Sequence, residues 1–176
     1  MNTLILPPDD LLKKGSTVTP TPVDLSKEDP ALLALLTQHA EAEDHLAQLA
    51  GPSWYRAGPG PAPSQGGIFV SGATLLPLSG QIPTGMVDTI LCTYDRVRWA
   101  AWQAQITLRL FISKPNSALS WTAPLDPNSA STTVNASGAN IPANCLLTLQ
   151  MKVGNITGGL FQPPSISSYD CRVMYH

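Results

Sequence analysis

Two stretches of this chain alternate apolar and polar side chains with a period of two. Along residues 106–113, Ile106, Leu108, Leu110 and Ile112 fall on one side, and Thr107, Arg109 and Ser113 on the other, with Phe111 breaking the rule. Along residues 145–153, Cys145, Leu147, Leu149, Met151 and Val153 alternate with Thr148, Gln150 and Lys152. Neighbouring side chains of a strand point to opposite faces, so this pattern describes strands with one face in a core, the usual state of antiparallel sheet. Everything after the first third of the chain must then supply partners for these two strands.

Further runs meet that need. Residues 67–76, 86–99, 101–113, 117–122, 131–136, 145–153 and 169–176, with a short piece near Leu160, read as strands. Pro77, Pro83 with Gly85, Pro115 with Asn116, Pro124 with Pro127, Gly138, Gly154, Gly158 with Gly159, and Pro163 with Pro164 punctuate them as turns. The final run sets Tyr169, Cys171, Val173 and Tyr175 against Asp170 and Arg172. The expectation is an all-β fold: a single jelly-roll barrel or sandwich of about eight antiparallel strands over residues 67–176.

The first 50 residues differ. Pro7, Pro8, Pro20 and Pro22 make residues 1–25 an extended arm. Residues 26–50 carry the helical period, with Leu32, Leu35, Leu36, Ala42, Leu46 and Leu49 as an apolar stripe. Ser26 or Asp29 serves as cap, Pro30 fits the first turn, and Gly51 with Pro52 ends the run. One helix is therefore expected, its stripe covered by the β body or by another subunit. Residues 51–66 are rich in Gly and Pro and read as a linker, with Trp54 and Tyr55 as anchors within it.

Charge bears on partners. Charged residues are 12% of the chain, about half the ~25% of ordinary soluble domains. Eight of the twelve acids, but three of the ten Lys and Arg, lie in residues 1–50. The arm is acidic and the body mildly basic, without the basic density that nucleic acid requires, so no nucleic-acid partner is expected. Neutral polar surface is cheaper to bury against a neighbour than charge. The start of the chain lacks a basic leader, and no apolar run reaches membrane-spanning length, so a soluble chain made in a cytoplasm is expected.

Chemistry is sparse. The histidines are His39, His45 and His176, and no Gly-x-Ser-x-Gly elbow accompanies them, so a nucleophile–base pair is not expected. The spacing of His39, Glu41 and His45 does not give a zinc helix. Asp88, Asp95, Asp126 and Asp170 are the acids of the body; Asp95 beside Arg96 and Arg98 reads as an ion pair. Three cysteines, Cys92, Cys145 and Cys171, read as buried thiols, with one Cys92–Cys145 or Cys145–Cys171 bridge left open. Trp99, Trp102 and Trp121 read as core anchors or as a carbohydrate platform. The expectation is a protein that is not an enzyme, with no cofactor and no metal.

A neutral β body over residues 67–176 behind an arm and helix resembles the major capsid proteins of tailless, internal-membrane-containing icosahedral bacteriophages, which are single jelly-roll barrels. The resemblance is one of layout and carries no family site residues. It implies a virion structural protein, made in the host cytoplasm, that assembles with itself and with other capsid proteins. An arm- or strand-exchanged dimer and an underlying viral membrane stay open as further neighbours. Leu32, Leu35, Leu36, Leu46 and Leu49, with Trp54 and Tyr55, are the candidate interface. The alternative is a phage tail-fibre head, trimeric, that binds glycans through loops of residues 116–128.

Overall fold

The computed structural model describes residues 16–24 and 52–176. The helix expected over residues 26–50, with its stripe, lies outside the described residues. The elements run β1 (Ser16–Val18), β2 (Thr21–Asp24), β3 (Ser53–Gly58), β4 (Gln65–Gly66), β5 (Phe69–Leu75) and β6 (Val87–Tyr94). A 3-10 helix (Ala100–Gln105) precedes β7 (Ile106–Ser113), β8 (Leu119–Leu125), β9 (Ser131–Asn135), β10 (Leu146–Val153), β11 (Gly158–Gly159) and β12 (Tyr169–Tyr175).

Two five-stranded sheets form the body, ordered β1-β9-β6-β12-β3 and β2-β8-β7-β10-β5. Every pairing in them is antiparallel except that of β1 with β9. Without the arm strands, and counting β3, β5, β6, β7, β8, β9, β10 and β12 in chain order, the sheets read 1-8-3-6 and 2-7-4-5. A two-stranded ribbon of β4 and β11 is separate.

The two alternating stretches are neighbours. β7 and β10 pair in unbroken register from Ile106 opposite Val153 to Ser113 opposite Leu146. Their inward residues Leu108, Leu110, Ile112, Leu147, Leu149 and Met151 are all buried in the core between the sheets. The facing sheet of β9, β6 and β12 contributes Val87, Ile90, Cys92, Val134, Cys171 and Val173 to the same core. Burying a Leu or Ile side chain contributes roughly 1.5–3 kcal/mol, so this double layer dominates the stability.

Tyr169 joins the sheets. It stands on β12, yet its hydroxyl donates to the carbonyls of Ala73 and Leu147 and accepts from the N–H of Leu149. Ala73 is free for this because β5 bulges: Thr74 pairs with Thr148, but Ser71 pairs with Gln150. The bulge also turns the Ala73 N–H to the Pro59 carbonyl at 2.9 Å, which ties β5 to the end of β3. At the bulge, Gly72 lies so close to Pro59 and Gly60 that a Cβ would sit 2.9 Å from the Pro59 oxygen.

Three expectations change. Residues 53–58, expected within a linker, form β3, which pairs with β12 from Ser53 opposite Met174 to Gly58 opposite Tyr169. Trp54 and Arg56 point inward on this strand and are buried, a two-residue alternation that the surrounding Gly and Pro obscured. Residues 101–105, expected to start a strand, are part of the 3-10 helix; this Ala- and Gln-rich run has no β-branched residue, and the Gln105 carbonyl accepts the N–H of Gly154. The strand expected over 86–99 ends at Tyr94, where Asp95 folds back to accept the N–H of Val97 at 2.8 Å.

Candidate interaction surface

The arm seals one side of the sandwich. β1 adds to the free edge of β9, with Thr17 opposite Thr133 and Val18 opposite Val134. After Pro20 the chain crosses to the other sheet, where β2 adds to the free edge of β8, with Thr21 opposite Thr122 and Asp24 opposite Leu119. One nine-residue segment thus blocks two sheet edges that would otherwise present unpaired backbone groups. Its grip is mostly backbone. Of its residues with described burial, Thr17, Thr19, Thr21 and Pro22 are exposed, Val18 and Val23 are half-buried, Val18 against the core, and Pro20 is buried. Ser120 Oγ adds one hydrogen bond, to the Val23 carbonyl at 3.2 Å. Pro22 lacks an N–H, which suits an edge strand with one side unpaired.

The face of β5, β10, β7 and β8 turned away from the core is unusual for a two-layer fold. Phe111 points outward there and lies outside the core cluster, yet it is fully buried. Thr74, Ser113, Thr148 and Gln150 share that face and are also buried. Thr74 and Thr148 hydroxyls meet at 2.9 Å. Arg109 Nε donates to Gln150 Oε1 at 2.6 Å, and Gln150 Nε2 donates to Ser71 Oγ at 3.0 Å. The Arg109 guanidinium lies 3.9 Å from the Phe69 ring centroid. An outward-facing Phe with no exposure marks a covered surface. The 3-10 helix and the ribbon sit at the other end of the sheet, beside Ile106 and Val153.

Of the candidate interface residues, Leu32, Leu35, Leu36, Leu46 and Leu49 lie outside the described residues. Trp54 is a core anchor: it is buried, and its Nε1 donates to the Ala143 carbonyl at 2.7 Å. Tyr55 faces outward, half-buried, with the Arg172 guanidinium 5.7 Å from its ring. Burial, then Asp170, raises the Tyr55 pKa, against the opposing charge of Arg172. Trp99 and Trp121 are buried, and Trp102 is half-buried with its Nε1 on the Gln162 carbonyl at 2.9 Å, so these three do not form a carbohydrate platform. Much of the 116–128 stretch proposed as binding loops is strand β8.

Catalytic ingredients are scattered. Among the described residues no three of His, Cys, Asp or Glu gather into a metal-binding group. His176 Nδ1 lies 2.6 Å from Asp88 Oδ1 in an exposed contact, and the nearby Ser137 hydroxyl donates to the Asp88 backbone carbonyl at 3.4 Å. Asp95 caps its own turn instead of pairing with Arg96, whose Nη1 donates to the Asn128 carbonyl at 3.0 Å. All three cysteines are free and fully buried. Cys92 and Cys171 stand directly opposite on β6 and β12, a pairing that sequence spacing did not suggest. Burial pushes the Cys145 thiol up to about 12 and also raises the Cys171 thiol well above its ordinary value. Among the described residues no helix is long and apolar enough to cross a membrane.

No family model matches the chain, and no curated protein matches it. Among solved structures, the chain is similar to a crystal structure of FLHE, with a TM-score of 0.54 and 21% identity. The similarity covers 72% of this chain and 99% of the FLHE chain. At that identity it is a likeness of fold: a β-sandwich shared in outline, with part of this chain left over.

Proposed function

We propose that this chain is a structural assembly subunit: a single jelly roll that builds a shell, as a viral capsid protein does, through repeated contacts with copies of itself. The observation that carries this reading is the strand order 1-8-3-6 and 2-7-4-5 in two antiparallel sheets. Two interleaved Greek keys produce that order, and capsid subunits are among the proteins built this way. The arm and the covered outer face of β5, β10, β7 and β8 add support, because both are surfaces shaped for other chain segments rather than for a small ligand.

The stripe Leu32, Leu35, Leu36, Leu46 and Leu49 is the apolar surface of the sequence that we propose for contact between copies. A shell then grows from many weak symmetric contacts. The test is the mass of the purified full-length chain by light scattering across a concentration series, with electron microscopy of the concentrated sample. Multi-copy species that lose mass in the Leu35→Asp, Leu46→Asp double variant support the reading. A strict monomer at every concentration, alone and with co-expressed neighbouring gene products, overturns it.

A further inference from the structure

We infer that Cys92 and Cys171 are a redox site: a dithiol that closes into a disulfide and rivets strand β12 to β6. The inference is independent of the assembly reading above. Three observations carry it.

The register is right. Cys92 on β6 and Cys171 on β12 stand directly opposite in an antiparallel pairing, and both belong to the core. The Tyr94 N–H donates to the Ala130 carbonyl, on the β9 side, at 3.1 Å. Backbone groups of a strand alternate in direction, so Cys92, two residues earlier, also turns its N–H and carbonyl towards β9. On the other strand the Tyr175 N–H donates to the Pro52 carbonyl at 3.2 Å, so Cys171, four residues earlier, turns its own towards β3. The cysteines therefore share no backbone hydrogen bond. They form the closer of the two kinds of antiparallel pair, with Cα atoms about 4.5 Å apart. A disulfide spans Cα separations of about 4.4–6.8 Å, so closure needs rotation of two side chains and not movement of the strands.

The thiols meet. Burial raises the Cys171 thiol first, and its hydrogen bond with the Cys92 thiol raises it next. The two sulfurs are thus in contact, with no side chain between them.

The third thiol stands apart. Cys145 leads into β10 of the facing sheet and is opposite neither of the others. Along the chain, Cys145 and Cys171 are the nearest pair, and loop entropy favours joining them while the chain is unfolded. The fold brings together a different pair, the one most distant in sequence. A bridge there closes a loop that contains β7 to β10, and so restricts the unfolded chain strongly.

Closure is exchange with a small disulfide such as glutathione disulfide. One cysteine thiolate attacks the small disulfide and releases one small thiol. The second thiolate then attacks the mixed disulfide on the first cysteine and releases the other. Two electrons pass to the small disulfide, and the two cysteine protons end on the released thiols. Both sulfurs are fully buried, so exchange takes place as the chain folds or opens, and the finished bond is sealed from reductant.

The test uses the full-length wild-type chain, unfolded in urea with reductant. One sample is refolded in a mixture of glutathione and glutathione disulfide, and a second is oxidised while still in urea. Remaining thiols are alkylated in denaturant, and the digested peptides are mapped by mass. Refolding is expected to give a chain with Cys92 linked to Cys171 and Cys145 alkylated, whereas oxidation in urea favours Cys145 linked to Cys171. The C145S chain should close the same bridge on refolding, and its urea midpoint should lie on the order of 1 M above that of the same chain kept reduced. Three alkylated cysteines after refolding, glutathione adducts in place of a bridge, or a bridge that includes Cys145 would each overturn the inference. So would equal yields of the Cys92–Cys171 link from both samples, since the fold then does not select it, or a C145S bridge that leaves the midpoint unmoved.

Discussion

Tyr169 concentrates three hydrogen bonds at one buried oxygen, each to backbone of the opposite sheet. Removing the hydroxyl leaves the Leu149 N–H and the Ala73 carbonyl without that partner in the core, and an orphaned buried polar group costs about 1–3 kcal/mol. Tyr169→Phe is expected to lower stability by about that amount with no change in fold, read as a lower urea midpoint at an unchanged slope. An unshifted midpoint would remove the hydroxyl from the account. Titration adds a second prediction from the same core. Burial raises the Tyr94 and Tyr169 hydroxyls and the Cys171 thiol, and takes Cys145 from 9.0 to about 12. These groups ionise in the unfolded chain first, so their stabilising contribution is complete below about pH 9 and is lost as pH climbs from there towards 12. The urea midpoint at about pH 10.5 should lie well below that at about pH 8, and thiol reagents should label the native protein only as it opens. Equal midpoints would mean that the thiols are not held in the core.

Strand β7 shows how one element can face two environments on the same side. Thr107 and Phe111 both point away from the core, but Thr107 is exposed and Phe111 is fully buried. A carboxylate should be harmless at Thr107, within roughly 0.5 kcal/mol, and should cost several times that at Phe111, because an unpaired charge is expelled from a covered site. Comparing Thr107→Asp with Phe111→Asp by thermal unfolding tests whether the outer face is covered at one end only; equal effects would deny it. Element by element, the sequence was legible where alternation was long. β7, β10 and β12 can be read directly, because the inward set needs only its own strand to declare itself. β3 was hidden, since Trp54 and Arg56 alternate for too few residues between Gly51, Pro52, Pro59 and Pro61. The 3-10 helix was hidden because Trp99 and Trp102 extend the apolar run of the strand that follows. Phe111 did carry a signal: an aromatic breaking a clean alternation marks a face that something covers. The seat of β1 and β2 could not be read, because an edge addition depends on the partner edge and not on the added segment. Cys92 opposite Cys171 depends likewise on register between strands far apart in sequence.

At the scale of the molecule, what matters is how the two sheets end. On one side β3 and β5 are joined through the Pro59 carbonyl and the Ala73 N–H. On the other, closure depends on a clasp, the arm strands β1 and β2 of residues 16–24, whose described side chains are mostly exposed. The two sides should therefore differ in stability. Amides of β7 and β10, central in their sheet and buried on the core face, open only with global unfolding, whereas those of residues 16–24 exchange by local release. Native-state hydrogen exchange should show the clasp amides exchanging orders of magnitude faster than those of Leu110 and Leu149, and equal protection would contradict a weak grip. Deleting residues 1–24 extends the same reasoning. The core residues are untouched, so the truncated chain should still fold, with a modest loss of stability from the missing ladder. Its two bared edges are the larger change, since an open β edge pairs with whatever strand it meets. Concentration-dependent association without loss of β signal is expected, and a peptide of residues 16–24 supplied in excess should suppress it by refilling the seam. If the truncated chain stays monomeric with no peptide present, the edges are blunted by the body itself, and the clasp is not what keeps a single copy from joining its neighbours.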